Sequence, residues 1–93
     1  MKINFSSNFY FLLNEILEYI ATDKPFASRK FKSDLLLNLR KDLKFPYNYK
    51  KSIYFNNDSF RDYVFKGYVI SCQVFDDEGV VNVIGIIKNR ISY

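Results

Sequence analysis

Apolar residues recur at helical spacing in two consecutive stretches of the first half of the chain. In the first stretch, positions three and four apart place one stripe on a single face: Phe9, Leu12, Leu13, Ile16, Leu17 and Ile20. In the second, the stripe is Ala27, Phe31, Leu35, Leu36, Leu39 and Leu43. Pro25 suits the first position of a helix, because no amide hydrogen is needed there. We predict helices over residues 8–21 and 25–44, with Ser6 or Ser7 as the first N-cap.

The pattern changes after Phe45-Pro46, where apolar and polar residues begin to alternate. Strands are predicted over residues 60–65, 68–75 and 80–88, separated by turns at Lys66-Gly67 and at residues 76–79. Residues 2–5 also alternate and suit a short first strand, whose place in the sheet the pattern leaves open. Residues 47–59 are polar apart from a brief apolar patch at Ile53-Tyr54-Phe55, and they suit a long connecting loop. The predicted fold class is α+β in the order β-α-α-β-β-β, with a helical hairpin packed on a small antiparallel sheet.

Composition supports one compact unit over residues 1–93. Of the residues, 48% are hydrophobic, and 10 Phe and 8 Tyr supply large side chains for a core. The stripes on the helices and the central strands predict the buried set: Leu13, Ile16, Leu17, Ile20, Leu35, Leu39, Ile70, Val74, Val83 and Ile84. The pattern also allows for one exposed face on the last strand.

Cysteine and histidine usage excludes several kinds of chemistry. Cys72 is the only cysteine and there is no His, so neither an internal disulfide nor a mixed Cys/His metal site is expected. We expect no cofactor, no membrane span and a reducing cytoplasmic location. Cys72 itself lies within an apolar strand and is interpreted as a small core residue.

Positive charge is concentrated in the middle of the chain. Residues 24–51 hold nine basic and two acidic side chains, a net +7, whereas the whole chain carries +4. Such a region favours a nucleic acid or an acidic protein partner, although a solvated, lysine-rich helix face explains it equally well. The predicted electrostatic patch comprises Arg29, Lys30, Arg40, Lys41, Lys44, Lys50 and Lys51.

Short segments with a shared order and spacing point to a known family. They are Tyr19-Ile20-Ala21, the Pro25 and Ala27 helix start, Arg61 opening a strand, Gly67-Tyr68-Val69-Ile70, and Lys88-Asn89-Arg90 at the end of the last strand. In these features, over residues 2–91, the chain resembles the RelE/ParE superfamily of bacterial toxins from type II toxin–antitoxin pairs. The resemblance implies a cognate antitoxin as partner.

Two kinds of target follow from this resemblance. A RelE-type endoribonuclease would act on messenger RNA at the ribosome, with Arg61, Lys88 and Arg90 around the scissile phosphate and Tyr93 or a loop lysine assisting. A ParE-like toxin would bind DNA gyrase without chemistry of its own, through Arg61, Lys88 and Arg90. Lys88 stands where the family commonly has a His, the side chain best suited to move protons near neutral pH. We therefore favour the ParE-like branch, to which the helical hairpin also looks closer.

Simpler interpretations of these residues stay open from the sequence. Arg61 and Arg90 suit ion-paired positions on a solvated strand face, and Lys88 suits a solubilising strand end. The function hypotheses, in order, are a toxin that binds a topoisomerase, a ribosome-dependent endoribonuclease, and a nucleic-acid-binding or structural domain that shares only the fold. Whether the chain is an enzyme, and its oligomeric state, are not determined by the sequence.

Overall fold

Two helices pack on one face of a five-stranded sheet in the computed structural model, which describes residues 1–90. The helices are α1 (Ser7–Asp23) and α2 (Pro25–Asp42). The strands are β1 (Lys2–Phe5), β2 (Lys50–Lys51), β3 (Phe60–Phe65), β4 (Tyr68–Phe75) and β5 (Val80–Lys88). The predicted α+β class is confirmed, and so is the predicted element order apart from β2, which the prediction lacked.

Local side chains set the ends of the helical hairpin. Ser6 is the N-cap of α1, and its Oγ accepts a hydrogen bond from the Phe9 amide at 3.0 Å. Lys24 separates the helices, and Pro25 begins α2 as predicted. Ser28 Oγ donates to the Leu17 carbonyl at 2.7 Å, which joins the two helices near their connection. α2 ends at Asp42, two residues earlier than predicted.

The sheet order is β1-β5-β4-β3-β2. The three long strands β3, β4 and β5 form an antiparallel meander with the predicted bounds. β1, whose position the sequence left open, pairs in parallel with residues 80–83 of β5, so the complete sheet is mixed. The segment predicted as a pure loop contains the two-residue strand β2, which pairs with Arg61 and Asp62 of β3.

Most of the predicted core is buried. Leu13, Leu35, Leu39, Ile70 and Val83 are fully inaccessible, and Val74 is nearly so. The remaining four residues of the prediction are only half-buried: Ile16, Leu17, Ile20 and Ile84. The first three still pack against the core from α1. Ile84 differs because the β4–β5 register shifts beside it, at Ser71 and Cys72, and a bulged residue leaves the regular alternation of faces.

Polar side chains cover part of the edge of β5 that β1 leaves open. Pairing with β1 ends at Val83, whose carbonyl accepts from the Ser6 amide at 2.9 Å. The next carbonyl, that of Ile84, accepts from Asn8 Nδ2 at 2.9 Å and from Ser6 Oγ at 3.3 Å. α1 therefore begins against the edge of β5, and residues 85–88 extend beyond the last β1 partner.

Candidate functional site

Arg61 is held by the segment that precedes β3. Its Nε donates to the Asp58 carbonyl at 3.0 Å, and its Nη1 donates to the Tyr49 carbonyl at 3.2 Å. Its guanidinium carbon also lies 4.7 Å from the centre of the Tyr47 ring. Arg61 is half-buried and bonds backbone carbonyls, so its planar cation fixes the segment between α2 and β3.

Lys88 and Arg90 lie at the opposite end of the sheet from Arg61. Lys88 is exposed and pairs with Tyr68 of β4, which in turn pairs with Phe65 at the end of β3. The neighbouring Asn89 donates its amide to the Gly67 carbonyl at 2.8 Å, which holds this terminus beside the β3–β4 turn. Arg90 follows and is exposed. Tyr93, the fourth residue of the nuclease hypothesis, lies outside the described residues.

Strand register gives the separation between these cations. Arg61 pairs with Cys72, and Lys88 pairs with Tyr68, so the two levels differ by four residues along β4. Four residues span about 13 Å along a strand, and the offset across two strand spacings adds about 10 Å laterally. Arg61 and Lys88 therefore do not converge on one phosphate-sized site.

Two tyrosines near the Arg61 end form hydrogen bonds with carboxylates. Tyr47 donates its hydroxyl to Asp76 at 2.7 Å, and this bond raises the pKa of Tyr47. Tyr63 donates to Asp42, and burial together with that bond raises the pKa of Tyr63. A raised phenol pKa keeps the proton on oxygen, so neither side chain is activated as a base near neutral pH.

Cys72 occupies the core, as its sequence context predicted. The side chain is fully inaccessible, and burial raises the pKa of its thiol to about 12. The thiol donates a weak hydrogen bond to the Arg61 carbonyl at 3.4 Å. A buried, protonated thiol is not a nucleophile. Within residues 1–90, moreover, no group of three or more Cys, Asp or Glu side chains is placed to hold a metal ion.

The predicted electrostatic patch divides into two groups on the structure. Arg29 and Lys30 lie in the first half of α2, where Lys30 pairs with Asp34 at 3.2 Å. That pairing lowers the pKa of Asp34, to which Lys66 of the β3–β4 turn also contributes from 3.5 Å. The second group lies at the end of α2 and on β2: Arg40, Lys41, Lys44, Lys50 and Lys51.

Some cations in the second group have partners of their own. Lys51 pairs with Asp58 at 3.0 Å, and Arg40 lies over the Phe5 ring at 5.2 Å. The pKa of Asp58 is lowered, chiefly by its hydrogen bond from Lys51. Lys44 lies two residues beyond the end of α2 and is exposed. The basic region is therefore partly compensated within the molecule, and its field is weaker than the count of cations suggests.

An apolar hollow lies between α1, β5 and the segment that precedes β3. Its volume is about 510 Å³, and its apolar lining includes Leu12 of α1, Ile84 of β5 and Val69 of β4. Tyr54 and Phe55 of the connecting segment also line the hollow. The sequence showed their apolar patch within a polar stretch, but it gave no partner for it.

A second hollow continues from the first toward the end of β5. Its volume is about 480 Å³, and Leu12, Ile86 and Ile87 line both hollows. Glu15, Tyr19 and Lys88 stand at its rim. We call the two hollows together the α1–β5 groove. It runs beside the part of β5 that has no β1 partner, where an additional segment of chain has access to both apolar side chains and a strand edge.

Over residues 1–90, neither helix combines the length and the apolarity that crossing a bilayer requires.

Comparisons with known proteins identify the family. A family model described as "ParE toxin of type II toxin-antitoxin system, parDE" matches residues 5–93. The chain belongs to the ParE toxin family. The match covers both helices, the three long strands and the sheet cations, so the ParE-like branch that the sequence favoured is confirmed.

A solved structure agrees with this assignment at the level of the fold. The structure titled "Chromosomal ParDE TA system from P. aeruginosa" superposes with a TM-score of 0.76 over 97% of each chain. The two sequences are 13% identical, so this likeness concerns the fold alone. No curated protein sequence matches the chain. As a ParE-family toxin, the protein is one component of a toxin–antitoxin pair, which implies an antitoxin partner.

Proposed function

We propose that this protein inhibits bacterial growth by binding a target such as DNA gyrase in the cytoplasm, and that its cognate antitoxin neutralises it. Membership of the ParE family supports the toxin class. The observation that favours binding over RNA cleavage is the separation of the sheet cations. Arg61 lies at one end of the meander, and Lys88 with Arg90 at the other.

The chemistry of RNA cleavage sets a strict geometric requirement. A proton acceptor, a proton donor and cations must all lie within hydrogen-bond reach of one phosphodiester. Arg61 already donates to two carbonyls, and Lys88 is several residues away along the strands. A binding surface has no such requirement, because cations spread over 10–20 Å contribute to one protein interface of ordinary size, about 800 Å² per partner.

Lys88 and Arg90 are proposed as direct contacts of the target, with Arg61 contributing to the same face from its other end. Lys88 and Arg90 are exposed, at the end of the sheet where the chain leaves β5. Arg61 is more constrained, and it acts chiefly by holding the segment between α2 and β3 in place.

The antitoxin is proposed to dock in the α1–β5 groove. The groove offers apolar side chains along its floor and a strand edge along its side, a combination that suits a segment which orders on binding. Glu15 and Lys88 at its rim give the docked segment polar partners of both signs. Occupation of this groove would also cover Lys88, which links neutralisation to the target-binding surface.

The test of the target hypothesis is induced expression with two readouts, DNA supercoiling by gyrase and integrity of messenger RNA. We expect loss of supercoiling with intact RNA, and weaker growth arrest in Lys88→Ala and Arg90→Ala. Lys2→Ala, which removes an exposed cation from β1, serves as the control and should keep full toxicity. Ribosome-dependent RNA cleavage by purified protein that disappears in Lys88→Ala or Arg90→Ala would establish the nuclease hypothesis instead.

The antitoxin hypothesis has a matched pair of variants. Ile87 in the groove and Val64 on β3 are exposed to nearly the same extent, 43% and 44%. We expect Ile87→Glu to weaken capture of the toxin by its antitoxin, and Val64→Glu to leave capture unchanged. The antitoxin is taken from the reading frame beside the toxin gene. Equal effects of the two variants would contradict docking in the groove.

A further inference from the structure

The outer face of the helical hairpin exposes three large hydrophobic side chains. Phe11 of α1 is 62% exposed, and Phe26 and Leu37 of α2 are 79% and 67% exposed. Single exposed hydrophobic residues are ordinary on a protein surface. These three, however, lie at the centre of the solvent-facing stripe of each helix, opposite the buried positions such as Leu13 and Leu35. We call this surface the hairpin face.

The two halves of the hairpin face carry opposite charge. α1 contains three acidic side chains and no basic one, and Glu15 and Glu18 follow Phe11 along its exposed stripe. α2 contains five basic and two acidic side chains. Its exposed stripe places Arg29 and Lys30 between Phe26 and Leu37. One acidic helix therefore lies beside one basic helix on the same surface.

The hydrogen bond between the helices shows which charged residues of α1 and α2 lie at the same height along the hairpin. Ser28 Oγ donates to the Leu17 carbonyl, so residues 17 and 28 lie side by side in the two antiparallel helices. Because both helices rise by about 1.5 Å per residue, each step back along α1 matches one step forward along α2. Glu15 then lies at the level of Lys30, Glu18 near Arg29, and Phe11 between Ser33 and Leu37.

We propose that a second copy of this chain docks on the hairpin face, related by a two-fold axis that runs parallel to the helices. Rotation about this axis places α1 of one copy over α2 of the other and keeps every residue at its own level. Glu15 of each copy then meets Lys30 of the other, and Phe11 meets Leu37. The result is an antiparallel four-helix layer between two sheets.

The alternative two-fold arrangement is disfavoured by the same charges. An axis perpendicular to the helices would place α1 on α1 and bring Glu15 and Glu18 against their own copies. Like charges in direct contact oppose association, so the charge pattern selects one orientation. This inference does not depend on the nature of the target. The one residue that it shares with the α1–β5 groove is Glu15, which stands at the rim of the second hollow.

The size of the hairpin face limits the strength of the dimer. Helices of 17 and 18 residues span about 25 Å, and packed helices lie about 8–10 Å apart. Such a face is at the small end of stable protein interfaces. We expect a reversible dimer with a dissociation constant in the micromolar range, which weakens as salt screens the charge pairs.

Sedimentation of the full chain, made by cell-free synthesis, tests this inference over a range of concentrations and salt. We expect a monomer–dimer equilibrium in which Leu37→Ala raises the dissociation constant about tenfold, which corresponds to about 1.4 kcal/mol. Glu15→Lys and Lys30→Glu should each weaken the dimer, and the double exchange should restore it. Ile53→Ala removes an exposed side chain of the connecting segment outside the hairpin face and should have no effect.

Three results would overturn the proposal. The first is a monomer at every concentration. The second is a dimer that Leu37→Ala leaves intact or that Ile53→Ala weakens equally. The third is a double charge exchange that dimerises no better than the single variants. If Leu37→Ala abolished antitoxin capture while the toxin stayed monomeric, the hairpin face would belong to the antitoxin instead. Thermal unfolding of each variant monomer controls for loss of fold.

Discussion

At the scale of single residues, Cys72 illustrates how burial determines chemistry. Its thiol is inaccessible, and its pKa is raised to about 12, chiefly by burial. We therefore expect native protein to react with thiol reagents only through unfolding, so that the labelling rate cannot exceed the unfolding rate however high the reagent concentration is. Rapid, reagent-dependent labelling of native protein would contradict the buried position.

Because its pKa is raised, the same thiol makes the free energy of unfolding depend on pH. Because the folded-state pKa lies above the ordinary value of 9.0, the folded protein retains a proton that the unfolded chain releases. The contribution of the Cys72 thiol to the free energy of unfolding is fully present below about pH 9. It is lost as pH rises toward 12, by up to about 1.4 kcal/mol per pH unit. Urea unfolding from pH 7 to 11 should show this fall. Cys72→Ala should show a shallower one, since Tyr63, whose pKa is also raised, then remains.

Arg61 resembles a functional cation in the sequence, but in the structure its guanidinium is hydrogen-bonded to backbone carbonyls. Removing it leaves the carbonyls of Tyr49 and Asp58 without their donor. We expect Arg61→Ala to lower the free energy of unfolding by about 1–3 kcal/mol. Arg90→Ala, which removes an exposed cation, should change it by less than about 0.5 kcal/mol. Equal, small effects in urea titrations would show that Arg61 is not an anchor.

At the scale of elements, α2 offers a direct test of its two faces. Leu39 is fully buried and Leu37, two positions earlier, is mostly exposed. Leu39→Ala should cost about 2–5 kcal/mol in unfolding free energy, from the lost transfer energy and the cavity that remains. Leu37→Ala, measured at concentrations too low for a dimer, should cost less than about 0.5 kcal/mol. A loss of that small size for Leu39→Ala would mean that the buried stripe is wrong.

The elements also show which parts of the fold the sequence determines. The bounds of β3, β4 and β5 were predicted from β-rich, alternating or mostly apolar runs and from the turns that Gly67 and Gly79 allow, both of which have positive φ. The position of β1 in the sheet was not predicted, because pairing between segments far apart in the chain leaves no local pattern in the sequence. β2 was missed since two lysines carry no strand pattern, and only the partner strand β3 orders them.

The candidate site follows the same division. Local pattern identified Arg61, Lys88 and Arg90, but their separation depends on the register of three strands. The α1–β5 groove depends on the bulge beside Ile84 and on the fold of residues 52–59, neither of which has a short-range signature. Membership of the family came from the order of elements along the whole chain, which is why it could be predicted while the geometry of the surface could not.

At the scale of the whole molecule, charge is distributed by sign over different regions. Residues 24–51 carry a net +7, whereas the rest of the chain is slightly acidic. Contacts with Asp34, Asp42 and Asp58 compensate part of this charge. Arg40 and Lys44, which form none of these ion pairs, line neither hollow of the α1–β5 groove, so they are suited to attract an acidic partner over a distance and not to hold it in place.

This arrangement predicts a kinetic effect on antitoxin binding, provided that the antitoxin is acidic. Charges outside an interface change the association rate far more than the dissociation rate, and salt screens them over a Debye length of about 8–10 Å. Lys44→Glu should therefore slow association several-fold at low salt and leave dissociation unchanged, with the difference vanishing as salt rises. Lys2→Glu introduces the same charge change on β1, away from the basic region, and should slow association less. Stopped-flow measurements across a salt series separate the two rates. A change in the dissociation rate for Lys44→Glu would place this residue inside the interface. Equal effects of both variants on association would mean that net charge alone, and not the position of Lys44 in the basic region, controls the encounter.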